Sequence, residues 1–85
     1  MPLVSKNPAT GRLLKRHREH TPSQISSALA QVHSGFLGWR ELSLGDRARH
    51  LNVLAATLRT QKESLAQLMT AEMGKPLAQA RAEIE

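Results

Sequence analysis

Ile25, Leu29, Val32, Phe36 and Trp39 follow one another at intervals of four and three residues, the spacing of one face of an α-helix. Leu51, Leu54, Ala55 and Leu58 form a second such stripe. Leu65, Leu68 and Met69 form a third, and Leu77, Ala80 and Ile84 a fourth. Helix-start signals precede the first three. Thr21-Pro22-Ser23-Gln24 offers a Thr cap, Pro at the first helical position and Gln three residues after the cap. Ser43-Leu44-Gly45-Asp46 is a capping box with Asp in place of Glu, and Thr60-Gln61-Lys62-Glu63 is a complete one. In each, the cap side chain accepts from first-turn N–H groups that lack an intrahelical acceptor. Gly35 and Gly38 loosen the end of the first helix. Gly74 ends the third in the left-handed conformation, and Pro76 opens the fourth as its first residue. The pattern predicts helices over about 22–37, 44–59, 61–73 and 76–85.

Ahead of the helices, residues 3–6 and 12–17 are short stretches able to extend. Asn7-Pro8-Ala9-Thr10-Gly11 lies between them. Asn caps the start of a turn, Pro sets φ, and Gly accepts φ > 0 at its end. A β-hairpin over 3–17 follows, and two strands alone are marginal in water, so the hairpin needs support from another element. The expected class is α+β, a hairpin followed by three to four helices in one unit over 1–85. The last helical stripe stops at Ile84 with no C-cap signal after it, which suggests a truncated domain.

Composition narrows the chemistry. The chain has 85 residues, 12 Lys and Arg against 7 Asp and Glu, and no cysteine. Disulfide frameworks, zinc ribbons and thiolate sites are therefore excluded. No run approaches the roughly 18 apolar residues of a membrane span, and no secretory signal is visible, so a cytoplasmic setting is expected. Phe36 and Trp39 are the only aromatics, so any core must come from Leu, Ala, Val, Ile and Met. A chain this short buries only about 60% of its unfolded surface. The net charge of +5 is concentrated near the N-terminus, where Lys6, Arg12, Lys15, Arg16 and Arg18 stand against Glu19 alone among the first 20 residues.

None of the candidate motifs survives inspection as a site. His17-Arg18-Glu19-His20 lacks the one-turn His spacing of a metal motif and sits among arginines that repel a cation, so it reads as a solvated linker. Lys15-Arg16-His17-Arg18 could contact phosphates, but no aromatics interleave for base stacking and no basic recognition helix follows, which disfavours nucleic acid. Gly74-Lys75-Pro76 is similar to the end of a phosphate loop, yet Met69 stands where that loop needs glycine and Pro76 where it needs Ser or Thr. Helix stop followed by helix start accounts for it better. His33 and His50 have no partner at metal spacing, and no pair of acids is placed as general acid and base. No catalytic, cofactor-binding or metal-binding residue is assigned.

The same residues carry a family resemblance. Val4-Ser5-Lys6-Asn7-Pro8-Ala9-Thr10-Gly11, Ile25 with Ala28, Phe36-Leu37-Gly38-Trp39, Arg47 with Leu51 and Leu58, and Glu72-Met73-Gly74-Lys75-Pro76 occur in this order. The set resembles the N-terminal segment of the aldehyde dehydrogenase superfamily. Residues 72–85, with Gln79-Ala80-Arg81-Ala82-Glu83, are most similar to its succinate-semialdehyde dehydrogenase branch. Arg12 departs from the family pattern, which usually has Glu after the turn glycine.

The resemblance implies that residues 1–85 are the incomplete N-terminal part of the cofactor-binding domain of an α/β enzyme that oxidises an aldehyde to a carboxylic acid with NAD or NADP. Family members are several times longer, and they use a cysteine nucleophile with a downstream glutamate as base. No cysteine and no glycine-rich strand-to-helix turn occur here, so the chain alone is expected to be inactive and to bind no cofactor. Its expected partner is the remainder of an aldehyde dehydrogenase chain or a partner subunit. The alternative reading is a small basic helical module that binds nucleic acid or a partner protein.

Overall fold

A computed structural model describes residues 3–85; Met1 and Pro2, which open the stretch read above for a secretory signal, lie outside the described residues. The elements are β1 (Leu3–Lys6), β2 (Leu13–His17), α1 (Pro22–Trp39), α2 (Leu44–Thr60), α3 (Lys62–Met73) and α4 (Leu77–Ile84). A two-stranded hairpin followed by four helices is the expected α+β class. The described residues divide into two compact units, one of residues 3–18 with 54–85 and the other of residues 19–53, so α2 contributes to both.

In the first unit β1 and β2 are antiparallel, with Leu3 opposite His17, Val4 opposite Arg16, Ser5 opposite Lys15 and Lys6 opposite Leu13. The register shifts between Ser5 and Lys6, which leaves Leu14 as the extra residue of a bulge. The turn is built as its residues require. Asn7 Oδ1 accepts the N–H groups of Ala9 (2.8 Å) and Thr10 (3.3 Å). The Asn7 N–H donates to the Arg12 carbonyl at 2.9 Å, and the Gly11 N–H to the Asn7 carbonyl at 2.7 Å. Gly11 takes φ +74°.

The hairpin finds its support on α3, against which β1 lies. Gly74 ends α3 at φ +74°, with its N–H donating to the Thr70 carbonyl at 3.0 Å. A Cβ at Gly74 would stand 3.2 Å from Pro8 Cγ, so the hairpin turn sits directly over the junction of α3 and α4. Those two helices pack along each other, and Ala66 and Ala80 are fully buried. They are the only buried hydrophobic residues among those described.

Two helix starts differ from expectation. Thr60 is not the cap of α3 but the last residue of α2, and its hydroxyl donates back to the Ala56 carbonyl at 3.0 Å. A Thr hydroxyl satisfies either a following N–H or the carbonyl four residues back, and here α2 continues far enough to take the second. Gln61 occupies the cap position without a side-chain hydrogen bond. Pro76 is likewise the N-cap of α4 rather than its first residue, with ψ 139° outside the helical range.

The second unit holds α1 and the first part of α2. Thr21 forms a full capping box, its hydroxyl accepting the Gln24 N–H at 3.1 Å while the Thr21 N–H donates to Gln24 Oε1 at 2.8 Å. Gly35 and Gly38 do not loosen the helix, which runs on to Trp39. The turn that follows draws it out to that point. Arg40, Glu41 and Leu42 donate their N–H groups to the carbonyls of Phe36, Gly38 and Trp39, so the last carbonyls keep partners. Arg47 reaches back over this turn, donating from Nε to the Leu42 carbonyl (3.1 Å) and from Nη2 to the Arg40 carbonyl (2.9 Å). Ser43 Oγ accepts the Asp46 N–H at 3.1 Å, which is the expected cap of α2.

Gly11 and Gly74 share the same φ, but only Gly74 meets a neighbour. Gly74→Ala therefore adds a steric conflict with Pro8 to the backbone strain, whereas Gly11→Ala adds strain alone. Urea unfolding followed at 222 nm is expected to show Gly74→Ala losing more than about 1 kcal/mol and more than Gly11→Ala. Equal losses would show that Pro8 yields freely.

Candidate functional site

The densest polar arrangement lies along α3 and α4. Glu63, in the first turn of α3, accepts two hydrogen bonds from Arg81 of α4, from Nε at 2.9 Å and Nη2 at 2.7 Å. The two parallel bonds make a bidentate pair. Gln67, one turn along α3, donates to the same carboxylate at 3.4 Å. The Arg81 bonds hold the Glu63 carboxyl below its ordinary value of 4.5, partial desolvation opposes them, and Gln67 adds to the lowering. At the end of α4, Glu85 accepts from Lys62 Nζ (3.1 Å) and from Arg59 Nε (3.3 Å). Those two hydrogen bonds, Lys62 first, lower the Glu85 carboxyl in the same way. Lys75 pairs with Glu83.

Each pair is solvent-accessible, so each fixes geometry more than it stabilises, and salt screens all of them. Chemically, the carboxylates here are committed to cations rather than poised to take or give protons. Sequence reasoning missed this clamp. Glu63 figured only as the last residue of a capping box, and its partner lies 18 positions away. Arg47, by contrast, stood among the residues of the family resemblance, but nothing local announced its reach to two carbonyls.

The other sequence candidates are scattered. Lys15 and Arg16 are exposed on β2. His17 Nε2 lies 3.0 Å from Ser5 Oγ across the hairpin. Among the described residues no group of three His, Asp or Glu side chains converges as a metal site, so His17, Glu19 and His20 are not brought together as ligands. The His50 ring faces Trp39, with centroids 5.6 Å apart. His33 lies exposed on α1. Lys75 is held by Glu83 after the left-handed Gly74, which makes Gly74-Lys75-Pro76 a helix stop and restart.

A dinucleotide needs a glycine-rich turn from a strand into a helix N-terminus. The passage from β2 to α1 is Arg18-Glu19-His20-Thr21, without glycine, and the Gln24 N–H at the helix start is already taken by Thr21. This passage does not fit a pyrophosphate. Among the described residues no helix is long and apolar enough to cross a membrane.

The Glu63 and Glu85 shifts set the pH response. Carboxyl groups lowered on folding contribute stability that is fully present above the ordinary value of 4.5 and is lost as pH falls through the lowered values. Amide protection in α3 and α4 is therefore expected to fall below pH 4.5. Carboxyl-carbon NMR titration of Arg81→Met should return Glu63 to the ordinary range and leave Glu85 lowered. Movement of both would show a single coupled network.

Comparison with known proteins places these features. The profile of the Aldehyde dehydrogenase family matches residues 2–85. The chain is similar to "Succinate-semialdehyde dehydrogenase [NADP(+)] 1" of Mycobacterium tuberculosis, 40% identical over 83 residues, covering 98% of this chain and 18% of that protein. It is 42% identical over 81 residues to a succinate semialdehyde dehydrogenase [NAD(P)+] of Escherichia coli, covering 95% of this chain and 18% of that protein. A succinate-semialdehyde dehydrogenase [NADP(+)] of Mycobacterium avium is 34% identical over 84 residues, with 98% and 18% covered. The chain thus spans about a fifth of the length of these relatives. With the family profile running over nearly every residue, hairpin and four helices alike, the chain belongs to the aldehyde dehydrogenase family.

Proposed function

We propose that this chain is the N-terminal structural part of an NAD(P)-dependent enzyme that oxidises succinate semialdehyde to the carboxylic acid, and that the chain by itself is inactive. One observation carries the reading. The similarity runs over 98% of this chain at 40% identity but over only 18% of the relative named for that substrate. The relatives' names specify NADP(+) or NAD(P)+, which supports the cofactor class.

Physical features agree. No cysteine is present to form a covalent acyl intermediate, and the β2–α1 passage does not fit a pyrophosphate. On the apolar stripes of α1 and α2, Leu29, Val32, Leu51 and Leu54 are all exposed. Exposed apolar side chains in such density mark a surface that another polypeptide covers. In this reading the cover is the remainder of an aldehyde dehydrogenase chain or a partner subunit, in the cytoplasm.

Two assays test the proposal. The purified chain with succinate semialdehyde and NAD+ or NADP+ is expected to give no absorbance rise at 340 nm. A chimera in which residues 1–85 replace the matching segment of the E. coli relative is expected to retain oxidation of that aldehyde. Turnover by the chain alone, or a folded chimera without activity, would overturn the proposal.

A further inference from the structure

We propose that the N-terminal hairpin docks on an anionic lipid surface, its cations meeting the lipid phosphates and its aliphatic side chains the acyl boundary. The distribution of charge points there first. Residues 19–85 hold seven basic and seven acidic residues and are neutral, so the whole +5 of the chain resides in Lys6, Arg12, Lys15, Arg16 and Arg18. Residues 3–18 contain no Asp or Glu.

Pairing separates the two sets of cations further. Beyond the hairpin, Arg40, Arg49, Arg59, Lys62, Lys75 and Arg81 each pair with a carboxylate, and Arg47 binds two carbonyls. Among the described residues no carboxylate pairs with any of the five hairpin cations, and all five are exposed. Like charges gathered on one element without compensation make a surface of positive potential, which attracts a polyanion. Five within 13 residues is the density at which basic segments bind anionic headgroups.

The hairpin's geometry selects a lipid surface among polyanions. Cross-strand partners share a face, and Ser5 is the part-buried position of β1, so the face of Ser5 and Lys15 turns toward α3. The opposite face carries Val4 beside Arg16 and Lys6 beside Leu13. Val4 is 43% exposed and Leu13 45%. Aliphatic and cationic side chains thus alternate on one outward face, with Arg12 and Arg18 just beyond the two ends of β2. A lipid headgroup layer offers phosphates and an apolar boundary within reach of one another, and such a face meets both. A nucleic acid offers the phosphates, but its bases stack on aromatic side chains, and the hairpin has none.

Co-sedimentation of the 85-residue chain with phosphatidylcholine vesicles containing about one third phosphatidylglycerol tests the proposal. Binding is expected to these vesicles and not to phosphatidylcholine alone. Raising the salt from about 0.05 M to about 0.5 M is expected to weaken it at least roughly tenfold. Lys6→Gln combined with Arg16→Gln should weaken it about 25-fold, roughly fivefold per cation. Arg40→Gln combined with Arg49→Gln removes the same charge outside the hairpin and should leave binding within about threefold. Leu13→Ser should weaken binding at least about threefold, since a contact through phosphates alone would not need the leucine. The substituted side chains are all exposed, so circular dichroism should show each variant folded. No binding by the unaltered chain at low salt overturns the proposal, whatever the variants do. Equal losses in the two double variants, or an unchanged Leu13→Ser, overturn it as well. So does a DNA duplex that strips the chain from the vesicles at equal phosphate concentration, since the preferred polyanion would then be nucleic acid.

Discussion

The close approach of α3 and α4 is the constraint on which the first unit rests. Ala66 on α3 and Ala80 on α4, both fully buried, bring only a methyl group each to the packed faces. With the helices this near, Arg81 meets Glu63 in a bidentate fork, and Glu85 comes within reach of Arg59 and Lys62. The chain must also reverse within Gly74-Lys75-Pro76, which only a left-handed residue after Met73 permits so tightly. The reversal then makes the seat for Pro8 and the hairpin turn. One small contact thus dictates the residue types at the junction, the ion pairs around it and the support of a hairpin too weak to stand alone.

The second unit is organised on a different principle. No residue of α1 is buried, so its order comes from the ends. Thr21 and Gln24 close its start, and the N–H groups of Arg40, Glu41 and Leu42 close its end. Arg47 adds two donors to the carbonyls of the same turn and so ties α2 to the exit of α1. Hydrogen bonding of this kind sets where a helix begins and stops, but it buries little apolar area, and apolar burial is the larger source of stability. Among the described residues α1 is thus defined by its ends and not by burial.

What could be read from the sequence was whatever is decided within about one helical turn. The Asn7 turn, the left-handed Gly11 and Gly74, the Thr21 box and the Ser43 cap all depend on neighbours a few residues away. Thr60 shows where this fails. Its four-residue motif fits a cap, but the hydroxyl has an equally near acceptor behind it, and the choice follows from how far α2 extends. Pro76 and the two helical glycines of α1 fail for the same reason, since their roles are settled by the turns beside them. The bulge at Leu14 and the Glu63–Arg81 fork are settled by pairing across the fold, which local pattern does not encode. Of the candidate site, the sequence reading assigned no residue a role and gave no sign of the clamp that joins Glu63 to Arg81.

Several of the residues that made the family legible have a common character. Asn7, Pro8 and Gly11 shape the hairpin turn, Arg47 binds two carbonyls, and Gly74 and Pro76 reverse the chain between helices. All act on the backbone. Side chains that shape the backbone are hard to exchange, because a replacement must reproduce a φ angle, a close approach or a pair of donors rather than a general property such as polarity. An apolar position such as Leu29 accepts several residues of similar size and by itself identifies little. A segment can therefore announce its family in good part through its turns and caps. The chain's membership of the aldehyde dehydrogenase family is thus legible to a large extent in residues that shape its backbone.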